Sequence, residues 1–355
     1  MTLAFVCGCA GAALGAEERA FIRDARPWGL ILFKRNVVDR EQLRALTGSF
    51  RDCLGRSDAP VLIDQEGGRV QRMGPPHWPV YPAAARFATA IDPPRAAWLA
   101  ARLIAHDLRE VGISVDCAPA LDVADARTHA VIGSRAFSSA PERVAALGRA
   151  VCEGLLAGAV LPVVKHIPGH GRAGADSHLE LPVVAASRAE LAARDFAPFA
   201  ALRDAPMAMS AHVVYSAIDP ASPATTSPIV VKTIMREAIG FDGLILSDDL
   251  SMKALGGPFA ERARALFAAG LDIALHCNGD LGEARAVAEG APELAGPSLR
   301  RAEAALARIA GGPAPLDVEA ARAELEATLR ADSAPRGAEG AGPNSARARA
   351  KPRRR

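Results

Sequence analysis

Short unbroken apolar runs alternate along the chain with longer amphipathic stretches. The runs fall at residues 3–6, 28–33, 60–63, 113–115, 161–164, 207–209, 244–246 and 273–275, and residues 40–54 and 94–111 show helical spacing. Strands that are apolar throughout, separated by helices, predict a parallel sheet covered on both faces. Eight such units are the number that closes a (β/α)8 barrel. Polar residues follow the strands directly: Asp64, Asp116, Lys165 with His166, His212, Asp248 with Asp249, and His276. That is the strand end at which such barrels assemble their sites, so these groups are expected to converge on one mouth. A doubly wound sheet would also alternate strands and helices, but it would concentrate its ligand groups at one switch point. The fold class expected is therefore α/β, a single TIM-type barrel over residues 1–310. A helical C-terminal segment packed on the barrel is expected at 311–332, and a disordered Arg-rich tail at 333–355.

Composition agrees with this pattern. Half of the 355 residues are apolar, mostly Ala, Leu and Val, and Tyr occurs only twice, a balance of helix-rich α/β proteins. The formal charge of +2 hides a basic end: from Arg336 onward seven Lys/Arg face the single acid Glu339, which leaves residues 1–335 at −4. A mildly acidic body gives no basic face for phosphate, so no nucleic acid is expected on the folded part. The tail has little beyond Ala to bury and is read as a solvated extension. Six scattered cysteines form no CxxC pair or dense framework and are expected as reduced, buried thiols. The apolar run 3–14 has no Lys or Arg before it and continues into Glu17 and Glu18, so it is read as a first strand rather than a signal peptide. No stretch reaches the ~20 apolar residues of a membrane span, and a cytoplasmic location is expected.

Three clusters carry candidate chemistry. The first is KHIPGHG at 165–171, followed by Asp176, Ser177 and His178. Its glycines describe a loop, and Pro168 and Gly169 argue against His166 and His170 forming a zinc pair on one helical face. A carboxylate two residues from an imidazole can hold its tautomer and raise its basicity, so Asp176 with His178 is a candidate proton-transfer dyad. The second cluster is SDD at 247–249. Alternation puts Asp248 on the face of Leu244 and Leu246 and Asp249 on the opposite one, so one of them projects into the mouth; spacing does not say which. A carboxylate with an ordinary pKa of about 3.9 is ionised at neutrality and competent as a nucleophile, while the competing role is capping a helix from Leu250. The third cluster is IDQEGGRVQR at 63–72, where Asp64, Glu66, Arg69 and Arg72 can hold sugar hydroxyls or form a salt-bridged turn.

Together, IDQEGGRVQR, IGSR at 132–135, KHIPGHG with Asp176 and His178, and SDDLSM at 247–252 resemble glycoside hydrolase family 3, specifically its bacterial β-N-acetylglucosaminidase branch, in the family's own order over residues 1 to about 310. The resemblance implies Asp248 as nucleophile, His178 as general acid/base and Asp176 as the group that orients it. It implies that Asp64, Arg72, Arg135, Lys165 and His166 hold the N-acetylglucosamine ring. The implied reaction is exo-acting, retaining release of terminal β-linked N-acetylglucosamine from muropeptide fragments, N-acetylglucosaminyl-anhydro-N-acetylmuramic acid with or without peptide, in peptidoglycan recycling. No metal or organic cofactor is implied, and the partner expected is the small amino-sugar substrate. No second α/β sandwich domain follows the barrel, so every catalytic group is expected to come from the barrel, with Gly169, Gly171 and Gly174 as hinges of a closing histidine loop. Two other readings stand beside this one. One is a metal-dependent barrel hydrolase with His166, His170, His178 and Asp248 as ligands; the other is a non-catalytic amino-sugar-binding barrel.

Overall fold

The computed structural model describes residues 1–125, 128–175, 177 and 179–330. Eight parallel strands close into a barrel in chain order: β1 Leu3–Cys7, β2 Pro27–Leu32, β3 Val61–Ile63, β4 Val115–Asp116, β5 Leu161–Ile167, β6 Met207–Ser210, β7 Leu244–Asp249 and β8 Ile273–His276, which returns to pair with β1. Each expected apolar run contributes to one of them. β5 and β7 extend three residues past their apolar runs, because backbone pairing continues through polar side chains that an apolar pattern does not register. Both extensions carry bulges. Between β5 and β6 the register slips from Lys165↔Met209 to Ile167↔Ser210, and between β7 and β8 from Leu246↔Ile273 to Asp249↔Leu275. A bulge inserts one residue and re-aims side chains next to it. His166 and Asp248 lie in these two slips.

The helices start and stop where local chemistry directs. Asp39 accepts the Gln42 N–H at 2.8 Å to open the helix Arg40–Leu54, which closes at Gly55 with φ +63°. Asp92 accepts the Arg95 N–H at 3.1 Å to open Pro93–Glu110. Their alternating strands sort the core into two shells. Val6, Leu62, Val115, Leu161, Val163, Met207, Leu244, Leu246 and Ile273 fill the barrel, while Phe5, Ile63, Val164, Ala208, Ile245 and Ala274 face the helices.

The two C-terminal helices are Gly296–Ala307 and Val318–Leu329. The second lies against Pro93–Glu110: Ala321 and Leu325 are buried, and Arg95 makes a two-point pair with Glu324 at 2.7 and 2.8 Å. The basic tail expected from 333 lies outside the described residues, as do Asp176 and His178. All six cysteines are free thiols, five of them buried. Among the described residues no helix is long and apolar enough to cross a membrane.

Candidate active site

At the C-terminal mouth lies a cavity of about 200 Å³ lined on its polar side by Asp64, Arg69, Arg72, Arg135, Lys165, His166, Asp248 and Asp249. Ile31, Phe33, Val131, Met209 and Leu275 supply the apolar side. The volume is below the ~300–1,000 Å³ of drug-sized sites, which suits one small polar unit presenting an apolar face. Of the strand-end residues, Asp116, His212 and His276 are not part of this lining. His276 instead turns outward, its Nε2 3.1 Å from Glu283 and its ring edge-on to Phe259 at 5.7 Å.

Lys165 is inward-facing because it shares the phase of Leu161 and Val163 on β5. Its Nζ donates to Asp64 Oδ1 at 2.8 Å and lies 2.7 Å from Glu66 Oε1. Asp64, in phase with Leu62, accepts Arg72 Nη2 on its other oxygen at 2.9 Å. Arg135 grips Glu66 bidentately, Nε to Oε2 at 2.9 Å and Nη2 to Oε1 at 2.8 Å. The third cluster thus divides between its two readings. Glu66 is consumed in a buried salt-bridged network, whereas Asp64 and Arg72 also line the cavity. Burial opposes ionisation of both carboxyls, but Lys165 with Arg72 holds Asp64 well below the usual range, and Lys165 with Arg135 holds Glu66 down to about 2. Burial opposes the Lys165 charge as well, and the two carboxylates overcome it, so its proton is held more tightly than usual.

Arg72 is delivered by a hairpin that sequence reading passed over. Gln65–Gly67 pairs antiparallel with Val70–Gln71 through Gly67 and Gly68, at φ +90° and +59°. Buried Gln65 accepts the N–H of Arg72 at 2.9 Å and of Met73 at 3.0 Å, and donates to the Met73 carbonyl at 2.8 Å. The Arg72 guanidinium stands over Phe33, 5.2 Å from the ring centre. Gln65 carried no signal as an isolated amide; only its pairing with a return strand reveals it.

The adjacent carboxylates on β7 have separate tasks. Asp249 Oδ1 accepts the N–H groups of Ser251 at 3.0 Å and Cys277 at 3.1 Å, and Oδ2 accepts the Ser251 hydroxyl. It pins a turn rather than a helix, since the next helix begins at Phe259. Asp248 stays in phase with Leu244 and Leu246, projects into the cavity, and accepts the Asp249 N–H at 2.8 Å. Beneath them His212 is fully buried. Its Nε2 donates to the Asp249 carbonyl at 3.1 Å, so in the neutral ring Nδ1 accepts from Thr225 at 2.7 Å. Burial pushes the His212 pKa down, which keeps that neutral form.

The histidine loop is tied at its base. Tyr215 donates to the Gly169 carbonyl at 2.6 Å, Thr128 to the Gly171 carbonyl at 2.6 Å, and Arg172 to Asp195 at 2.7 Å. Asp122, another residue that the apolar and polar pattern did not single out, accepts from His166 and His170. His170 lies 3.3 Å from the Ser177 hydroxyl, and burial lowers its pKa to about 4, so it is neutral. The expected hinges are also packing residues in part. A Cβ at Gly171 would stand 2.0 Å from the Val123 carbonyl, and Gly169 has φ +134°, but a Cβ at Gly174 would meet none of the described residues within 4 Å.

Of the four ligands that the metal reading names, His178 lies outside the described residues. Among the described residues, only His106, Asp107 and Glu110, on the helix Pro93–Glu110, bring three possible ligand atoms within 4.8 Å of one another. His166, His170 and Asp248 form no such group, and His166 Nδ1 is already engaged by Asp122 at 2.7 Å.

Comparison with known proteins identifies relatives of the chain as a whole. The profile of the glycosyl hydrolase family 3 N-terminal domain matches residues 7–310. A β-hexosaminidase of Methylococcus capsulatus is 43% identical over 273 residues, 76% of this chain and 80% of the relative. The crystal structure of NagZ from Neisseria gonorrhoeae in complex with N-trifluoroacetyl-D-glucosamine superposes with a TM-score of 0.81 at 34% identity, covering 92% of this chain and 98% of that one. A family 3 β-N-acetylglucosaminidase from Paenibacillus sp. gives 0.83 at 28% identity, over 92% of this chain and 67% of the other.

Proposed function

Because the chain belongs to glycosyl hydrolase family 3, and is a β-N-acetylhexosaminidase within it, we propose that its barrel mouth releases terminal non-reducing β-linked N-acetylglucosamine from muropeptide fragments. N-acetylglucosaminyl-anhydro-N-acetylmuramic acid, with or without its peptide, is the substrate of this reading. Its setting is peptidoglycan recycling in the cytoplasm. The observation that carries it is the shared cavity: Asp248 on one side, and the Asp64–Lys165–Arg72 ion-pair group with Arg135 and His166 around it.

In this mechanism Asp248 attacks the anomeric carbon while the bond to the leaving oxygen breaks, and His178 gives that oxygen its proton. The covalent glycosyl-enzyme is then opened by water. His178 takes a proton from the water, its oxygen bonds the anomeric carbon, and Asp248 departs as carboxylate. Two displacements retain the anomeric configuration. Asp176 holds the His178 ring in both steps. Asp64, Lys165, Arg72, Arg135 and His166 orient the ring hydroxyls through charge-assisted hydrogen bonds, and the apolar wall of Met209, Val131 and Leu275 covers a carbon-rich face.

The test is release of 4-nitrophenol from 4-nitrophenyl N-acetyl-β-D-glucosaminide with a chelator present throughout. The wild type is expected to turn over, and Asp248→Asn to lose at least about a thousandfold in kcat with its melting temperature unchanged. Wild-type turnover in Asp248→Asn, or a wild type that is inert until metal is restored, refutes the carboxylate-nucleophile reading. Mass analysis of products from a muropeptide digest tests the natural substrate separately.

A further inference from the structure

We propose that Asp122 is the positioning residue through which His166 meets the sugar: its carboxylate accepts the hydrogen bond of the His166 Nδ1–H, leaving Nε2 as a lone-pair acceptor at the cavity for a ring hydroxyl. This rests on the amino-sugar reading of the mouth. Asp122 lies in the segment that follows β4 and is completely buried. An ionised carboxylate there is tolerable only where donors replace the water it has lost. It receives three: His166 Nδ1 at 2.7 Å, the His166 main-chain N–H at 3.3 Å and the His170 main-chain N–H at 2.6 Å. Burial alone would raise its pKa, and the hydrogen bonds from the His166 ring and the His170 main chain hold it below the usual range.

The two main-chain donors come from both ends of the turn 166–170, so they fix where the carboxylate stands and, through it, which way the His166 ring faces. The His170 ring packs against it at 5.7 Å and 60°, which opposes rotation. A neutral imidazole with Nδ1–H bound has an unprotonated Nε2. The cations around the cavity, Lys165, Arg69, Arg72 and Arg135, can only donate. A sugar hydroxyl that accepts from one of them still has a proton to place, and an acceptor at His166 takes it without adding a further negative charge beside Asp64 and Asp248.

Two measurements test this. In wild-type enzyme carrying 15N-histidine, with His166→Ala used for assignment, the ring nitrogens of His166 at pH 8 are expected to show Nδ1 protonated and Nε2 bare. A neutral Nε2–H ring, or a doubly protonated one, overturns the proposal whether or not the enzyme turns over. In the second, Asp122→Asn is expected to raise KM for the nitrophenyl substrate about 10- to 100-fold, the scale of a charged hydrogen bond, with kcat changed much less. His166→Ala combined with Asp122→Asn is expected to be no worse than His166→Ala alone. Fully additive losses show Asp122 acting elsewhere and overturn the proposal. Should Asp122→Asn fail to fold, the wild-type ring nitrogens decide alone. A wild type that hydrolyses no N-acetylhexosaminide fails the amino-sugar reading and with it the proposed ligand, while the nitrogen spectrum still separates that failure from a wrong tautomer.

Discussion

Asp116 shows how far burial alone can move one residue. One of its oxygens accepts the Gln65 N–H at 2.9 Å, the other has no partner among the described residues, and burial lifts its pKa to about 7 despite the nearby Lys165 charge. The folded chain therefore keeps a proton that the unfolded chain releases near pH 4. Stability from this group falls as pH rises between about 4 and 7, by up to about 4 kcal/mol, and is level above that. Asparagine mimics the protonated carboxyl without titrating. The melting temperature of Asp116→Asn relative to wild type is thus expected to be more favourable at pH 8 than at pH 5, and an equal difference at both pH values would contradict the assignment. Glu66, held down to about 2 by Lys165 and Arg135, works in the opposite sense. Its stabilisation is present above about pH 4.5 and is lost as the pH falls toward 2.

At the scale of elements, strand bulges and tightly packed loops set the site. Lys165 keeps the phase of Leu161 and Val163, and Asp248 that of Leu244 and Leu246, but His166 and Asp248 also fall in register slips between neighbouring strands, which a period-two reading of one strand does not contain. The histidine loop offers a direct comparison between its glycines. A methyl group at position 171 meets the Val123 backbone, whereas one at 174 meets none of the described residues within 4 Å. Gly171→Ala is expected to cost about 1–3 kcal/mol and to lower kcat/KM by displacing the loop. Gly174→Ala is expected to leave the melting temperature within about 1 °C. Calorimetry with parallel kinetics checks both, and equal stability losses would remove the packing argument for Gly171.

On the scale of the whole molecule, the helix Val318–Leu329 lies on Pro93–Glu110, from which it is far removed along the chain. Besides the Arg95–Glu324 pair, the Ile91 N–H donates to the Thr328 carbonyl at 3.0 Å, and Arg102 donates to the Ala314 carbonyl at 2.5 Å. The exposed ion pair contributes little; burial of Ala321 and Leu325 contributes the larger share, about 2–3 kcal/mol. Ending the chain after Pro315 is therefore expected to lower the melting temperature by about 5 °C while 4-nitrophenyl substrate turnover at 25 °C persists. Loss of turnover without loss of stability would tie this helix to the mouth instead.

The apolar rhythm of the chain, taken alone, determined the eight strands, their parallel order and the end at which polar groups gather, because burial on both faces leaves an unbroken apolar run wherever a barrel strand must pass. The order of motifs determined the family. Which of two adjacent aspartates is tied into the turn after its strand was decided only by the closed barrel, where Asp249 accepts the Cys277 and Ser251 N–H groups. The same holds for Glu66, drawn into a salt bridge by Arg135 sixty-nine positions away, and for Asp122 beneath His166. Such roles depend on distances between segments remote in sequence, and those distances exist only once the strands have closed on one another.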